Sequence, residues 1–255
     1  MSKFMVNSWF PYYHANPSTR IRLFCFPFAG GGASFYRNWS ARLPWAEVIA
    51  VQLPGRENRI GELPYVIFED ALQALETVLL PFLSKPFAFM GYSMGGMLSF
   101  HLAQQLQRKY NLTPERLFLA ASRPPWASDW RHFYDEESDE ALIKRLLSIG
   151  GTPEALLHHQ ELWPMILPTI RADFQLCSSL RMPDPGEPLS CPITVFGGDD
   201  DALVTTDQLQ EWRMGTFGEF EFHSFAGGHF FIEHHLGTIH DCMTTLLCMN
   251  TIQKG

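Results

Sequence analysis

Phe87-Ala88-Phe89-Met90-Gly91-Tyr92-Ser93-Met94-Gly95-Gly96-Met97-Leu98-Ser99-Phe100-His101-Leu102-Ala103 decides how this chain folds. Its first four residues form a short apolar run suited to a buried strand, and the run from Gly96 onward is compatible with a helix. Between them lies Gly91-x-Ser93-x-Gly95, the G-x-S-x-G pattern, on a turn too tight for side chains on both flanks. Glycines two residues either side of Ser93 let strand and helix approach without clashing β-carbons. A serine held on such a turn has a strained backbone, and the start of the following helix directs free N–H groups and positive dipole charge toward its hydroxyl.

Strand-like and helix-like segments alternate on both sides of this turn. Upstream, Ile21–Phe28 reads as a buried strand and Glu47–Leu53 as a second, ending at Pro54-Gly55. Phe68–Leu83 carries Leu72, Leu75, Leu79 and Leu83 on one helical face. Downstream, the elbow helix runs from about Met94 to Lys109, followed by strands at Leu117–Ser122, Pro192–Phe196 and Phe220–Phe225 and a last helix near His234–Met249. This alternation predicts an α/β fold, a mostly parallel central sheet flanked by helices. Residues 124–188 interrupt it with Pro-rich edges, an acidic patch at 135–140 and amphipathic segments. We read that stretch as a helical lid inserted within one domain spanning 1–255. Leu142, Leu146, Leu156, Leu157, Leu162, Trp163, Met165 and Ile166 are candidates for its inner face, or for packing the lid onto the core.

A serine hydroxyl needs a base to take its proton, and the base needs a group to orient it. Among ten histidines, only His229 follows a strand and a glycine turn, Ala226-Gly227-Gly228. His158-His159 and His234-His235 lie in helix-like stretches and read as surface or packing residues. The acid comes from Asp199-Asp200-Asp201, which follows the strand at Ile193–Phe196. Asp201 is favoured, because the first carboxylate after a double glycine commonly caps the turn itself; Asp199 and Asp200 remain alternatives. The order Ser, acid, His is that of the α/β-hydrolase fold. An oxyanion would be held by the backbone N–H of Met94 and by one from the loop Pro27–Ala33, for which Ala29 is the candidate. That glycine cluster is a poor phosphate loop: no Gly-Lys-Ser/Thr follows, and Phe35 breaks G-x-G-x-x-G.

Composition narrows the functional classes further. The 255 residues are 46% hydrophobic and 18% charged, ample for a sizeable core. Nineteen Lys and Arg against 27 Asp and Glu give a net charge of −8, which argues against nucleic-acid binding. Five cysteines without CxxC spacing fit reduced thiols better than a disulfide framework or a zinc site. Neither a signal peptide nor an apolar run of about 18 residues is evident, so a cytoplasmic protein without a membrane span is expected.

Several motifs together resemble the discrete type II thioesterases that accompany nonribosomal peptide and polyketide synthetases. They are Phe26-Pro27-Phe28-Ala29-Gly30-Gly31, Gln52-Leu53-Pro54-Gly55-Arg56, Gly91–Gly96, Leu167-Pro168-Thr169-Ile170-Arg171-Ala172-Asp173-Phe174 and Gly227-Gly228-His229-Phe230-Phe231. The resemblance implies hydrolysis of acyl or aminoacyl thioesters from the phosphopantetheine arm of acyl or peptidyl carrier protein domains, removing stalled or misprimed groups. It implies a triad of Ser93, Asp201 and His229, oxyanion donors at Ala29 and Met94, no metal or other cofactor, and a monomer as the simplest state. The chain departs from the family pattern at Ala202, where proline is frequent. Arg56 and Asp173 match diagnostic motifs, but no reacting role follows from their chemistry. Rival readings are a carboxylesterase or lipase, a silent synthetase-docking protein, and an acyl transferase or cyclase.

Overall fold

The computed structural model describes residues 8–127, 138–150, 160–180 and 186–248. Six strands form one sheet: β1 (Ile21–Phe26), β2 (Ala46–Ala50), β3 (Phe87–Tyr92), β4 (Leu117–Ala120), β5 (Ile193–Gly198) and β6 (Phe220–Phe225). Their order is β2-β1-β3-β4-β5-β6, and every neighbouring pair is parallel. The helices are α1 (Trp39–Arg42), α2 (Phe68–Leu79), α3 (Met94–Tyr110), α4 (Asp139–Ile149), α5 (Trp163–Ser179), α6 (Thr206–Gln210) and α7 (Ile232–Cys248).

The strand sequences are predominantly apolar because both faces of the sheet are covered, and the period of two divides their apolar side chains between two cores. Phe24, Phe26, Phe89, Leu117, Leu119, Ile193 and Val195 point to one side, where they meet Leu72, Leu75, Leu79 of α2 and Leu98, Leu102, Leu106 of α3. Leu23, Cys25, Ala88, Met90, Tyr92, Phe118 and Phe196 point to the other, against Ile239, Met243 and Leu247 of α7.

Several boundaries differ from those read in the sequence, for local reasons. Strand β1 stops at Phe26 because Pro27 has no N–H to continue the ladder. Helix α2 ends at Leu79 and tightens into a 3-10 turn over Leu80–Phe82, since Pro81 cannot accept another α-helical turn. Leu83 nonetheless stays buried, on the same apolar side as Leu79. Strand β5 runs on through Gly197 and Gly198, pairing with Ser224 and Phe225 of β6. It therefore ends immediately before the three aspartates.

Strand order reverses direction between β1 and β3: β2 lies on the far side of β1, and all later strands lie beyond β3. In an open parallel sheet, the crevice at the carboxyl ends of such a strand pair is where ligands bind. The loop Pro27–Ala33 leaves β1 there, and Ser93 leaves β3 there.

Helices α4 and α5 lie between β4 and β5 in the chain and share a small cluster of their own. Leu142, Trp163, Leu167 and Ile170 are buried in it, with Ile143, Leu146, Leu162, Ile166 and Phe174 packed around them. Ser138 caps α4 by accepting the Ala141 N–H, and Arg171 reaches Asp139 at 2.7 Å across the two helices. Among the candidates for the inner face of the inserted segment, Leu156 and Leu157 lie outside the described residues. Met165 is 59% exposed and packs nothing inward.

Candidate active site

Ser93 sits between β3 and α3 with φ 50° and ψ −115°, a conformation that L-residues avoid. The surrounding bonds over-determine it: its N–H donates to Ala120 O at 2.8 Å, and its carbonyl accepts from Gly96 N at 2.9 Å and from Ser122 Oγ at 2.8 Å. The flanking glycines are there for space. A β-carbon on Gly91 would lie 2.5 Å from Gly95 O, and one on Gly95 would lie 2.1 Å from Phe26 O. As the first residue of α3, Met94 has an N–H with no carbonyl one turn back to receive it.

The three residues singled out by sequence meet at this point. His229 Nε2 lies 3.1 Å from Ser93 Oγ, and His229 Nδ1 lies 2.8 Å from Asp201 Oδ2. An ionised carboxylate can only accept, so the proton sits on Nδ1, and Nε2 presents its lone pair to the serine hydroxyl. The His229 and Asp201 side chains are almost completely buried, which shields the pair from competing water. Asp201 is anchored through its other oxygen, since Oδ1 accepts the N–H of Leu203 at 2.8 Å and of Val204 at 3.2 Å. That local turn holds the carboxylate without the proline that Ala202 replaces. Asp199 faces elsewhere: its Oδ1 accepts from Ser224 Oγ and its N–H donates to Phe225 O. Asp200 is exposed.

Tyr92 holds the histidine from behind, a role the sequence did not signal. Its hydroxyl donates to the His229 carbonyl at 2.6 Å, and its ring stacks on the imidazole at 6.1 Å between centroids. Phe28, Phe35 and Phe230 surround that ring at 5.3, 5.6 and 5.8 Å. Burial pushes the Tyr92 phenol well above its ordinary range, with the charges of Glu233 and Asp201 adding to the effect.

The glycine loop after β1 makes a turn in which Gly31 N–H donates to Phe28 O at 2.9 Å and Gly30 takes φ +77°. That is the pattern of a type II β-turn, with glycine at its third position. In a trans peptide, C=O and N–H point in opposite directions. With the Phe28 carbonyl turned inward to Gly31, the Ala29 N–H faces outward. Ala29 lines one cleft together with Ser93, Met94 and His229. The remaining wall is largely apolar and includes Met97, Pro124, Pro125, Leu203 and Val204.

From the inserted segment, the cleft receives not only Pro124 and Pro125 at its start but also Arg145 and Ile149 of α4 and Phe174 of α5. None of the expected inner-face residues within the described segments is among them. Leu142 and Leu146 occupy the helical stripe that faces α5, whereas Arg145 and Ile149, also four apart, occupy the adjacent stripe. The apolar periodicity correctly marked a buried face, but that face belongs to the packing between the two helices.

Residues 21–245 match the thioesterase domain family. This chain belongs to that family. The thioesterase is 40% identical over 228 residues to the gramicidin S biosynthesis protein GrsT of Aneurinibacillus migulanus, covering 89% of each chain. The type II thioesterase BorB from the borrelidin biosynthetic cluster superposes with a TM-score of 0.83 at 36% identity, over 94% of this chain and 98% of that one. RedJ, a thioesterase from the prodiginine pathway of Streptomyces coelicolor, gives 0.82 at 32% identity, over 94% and 99%. The resemblance drawn from the motifs thus holds, and the thioesterase is a serine-type thioester hydrolase on the α/β-hydrolase fold. Among the described residues, no helix is long and apolar enough to cross a membrane.

Proposed function

We propose that the thioesterase hydrolyses acyl or aminoacyl groups from the phosphopantetheine arms of synthetase carrier domains, with Ser93 as nucleophile, His229 as general base and Asp201 as its orienting acid. The observation that carries this reading is the unbroken chain Ser93 Oγ, His229 Nε2, His229 Nδ1, Asp201 Oδ2, with links of 3.1 and 2.8 Å, at the carboxyl edge between β1 and β3. Relatives named as type II thioesterases of such biosynthetic pathways support the substrate class.

In this mechanism His229 Nε2 takes the Ser93 proton as Oγ attacks the thioester carbonyl. The N–H groups of Met94 and Ala29 receive the oxyanion. Collapse breaks the C–S bond, and the imidazolium returns its proton to the departing pantetheine thiolate. Water, deprotonated by the same nitrogen, attacks the acyl-enzyme and releases the carboxylic acid and Ser93. Asp201 keeps Nδ1 protonated and stabilises the cation in both steps. No metal or other cofactor enters the scheme. Helices α4 and α5, which contribute Arg145, Ile149 and Phe174 to the cleft wall, act as a lid over the acyl group.

Mass spectrometry of acyl-loaded carrier proteins tests the reading directly. The wild type is expected to release the acyl group and leave the free pantetheine thiol, and Ser93→Ala to do neither while keeping its melting temperature. Turnover by Ser93→Ala would reject the assignment of the nucleophile. A strong preference for simple oxygen esters over carrier thioesters would reject the substrate class and favour a carboxylesterase.

A further inference from the structure

Arg56 and Asp173 lie 117 positions apart and form a bidentate ion pair: Arg56 Nη1 to Asp173 Oδ2 at 2.6 Å and Nη2 to Oδ1 at 2.7 Å. Both are buried, at 5% and 1% exposure. The charge of neither is spent on the pair alone. Asp173 Oδ2 also accepts the Gly30 N–H at 2.7 Å, and Arg56 Nη1 also donates to Gly31 O at 3.2 Å. These two backbone groups belong to the Phe28–Gly31 turn that orients the Ala29 N–H. Arg56 is held in its own loop, where Gln52 Nε2 donates to its carbonyl at 3.0 Å and Thr169 Oγ1 donates to Gly55 O at 2.6 Å. Asp173 is carried on α5, whose Ile170 presses on the same turn: a β-carbon on Gly30 would lie 2.8 Å from Ile170 Cγ1.

A buried ion pair is weak evidence for stability, because desolvating two charges offsets most of their attraction. What this pair does supply is direction. A carboxylate accepting a backbone N–H makes a short, charge-assisted bond, and here that bond fixes the peptide next to the proposed oxyanion donor.

The geometry points to Asp173, held by Arg56, as a positioning residue that sets the oxyanion-binding turn and couples it to helix α5. This deepens the proposed reaction and rests on Ser93 being its nucleophile. The neighbouring residue, Phe174, lines the acyl cleft. Contact with the acyl group and anchorage of the oxyanion turn therefore share one turn of one helix. Displacement of α5 moves the donor as well as the wall, and catalysis is fastest when the helix is seated.

Two double variants isolate the bond. Arg56→Met with Asp173→Leu removes both charges and the Gly30 acceptor; Arg56→Met with Asp173→Asn removes both charges but keeps a carbonyl oxygen for Gly30. Neither leaves a buried charge unpaired. With octanoyl-N-acetylcysteamine as substrate, the leucine variant is expected to lose roughly 100-fold in kcat with KM within about threefold, the signature of a misplaced transition-state donor. The asparagine variant is expected to recover at least about tenfold of that loss. A trifluoromethyl ketone analogue, whose adduct places an oxyanion on the turn, should lose affinity in parallel with kcat. Equal kcat in the two double variants, both folded, overturns the proposal. Where the double variants fail to fold, Asp173→Glu serves instead: it keeps the charge for Arg56 but displaces the oxygen from Gly30, so a tenfold or greater loss of kcat supports the role and wild-type kcat overturns it. Ser93→Ala in the same assay separates the two levels, because turnover there rejects the underlying reaction itself.

Discussion

Replacing Tyr92 with Phe removes one hydroxyl and nothing else from the support behind His229. The ring keeps its place among Phe28, Phe35 and Phe230, so no cavity opens. What is lost is the 2.6 Å bond to the His229 carbonyl, whose acceptor is left buried without this partner. Loss of such a partner costs about 1–3 kcal/mol. In a chain of this length each kcal/mol lowers the melting temperature by roughly 2–4 °C, so a drop of about 2–12 °C is expected. The side chains of Ser93, His229 and Asp201 remain, and only the backbone carrying the imidazole is loosened. The fall in kcat is therefore expected to be about tenfold, far short of the loss on removing Ser93. Differential scanning calorimetry and steady-state kinetics on one preparation measure both. A Tyr92→Phe enzyme that melts within 1 °C of wild type, with unchanged kcat, would refute the idea that this bond holds His229.

Three further outcomes follow from the same geometry. Asp201→Asn should lower kcat by about 10⁴-fold, through loss of the tautomer and of cation stabilisation, whereas Asp199→Asn should leave kcat within a few-fold; kinetics on the pair check the choice of acid. Gly95→Ala puts a carbon 2.1 Å from a main-chain oxygen, so an unfolding free energy lowered by about 3 kcal/mol or more is expected from denaturant titration, against less than about 0.5 kcal/mol for Gly61→Ala, whose β-carbon meets nothing within 4 Å. Burial pushes the His101 imidazole down to about 4, so the unfolded chain binds a proton between pH 6.5 and about 4 that the native state refuses. Stability from this residue is complete above pH 6.5 and is lost as pH falls, by about 2 kcal/mol at pH 5; urea titrations at pH 7 and pH 5 should show a smaller difference in His101→Leu.

The parts of this molecule readable from sequence are those encoded by neighbours in the chain. Strands such as Phe87–Tyr92 announce themselves as short apolar runs, and the elbow does so by glycines two residues either side of Ser93. The catalytic candidates were legible because each follows a strand and a small-residue turn, which fixes the edge of the sheet it reaches. Asp201 could be preferred over Asp199 from turn chemistry, but its second anchor, on Leu203 and Val204, needed coordinates. Contacts between distant segments left no such trace. Tyr92 to His229 spans 137 positions and Arg56 to Asp173 spans 117, and no periodicity links either pair. Helix-face arguments left two readings open for the inserted segment for a related reason. Periodicity shows that Leu142 and Leu146 are covered, but not whether a helix or a ligand covers them.

The turn that secures Asp201 has a practical implication for redesign. Its donors are the main-chain N–H groups of Leu203 and Val204, and those same two residues form part of the cleft wall. Scaffold and lining are thus written at the same positions but in separate chemical alphabets. Bulkier or smaller residues there would resize the chamber for longer or shorter chains and leave the carboxylate clasped as before. Proline alone is barred, since it would erase a clasp along with the side chain.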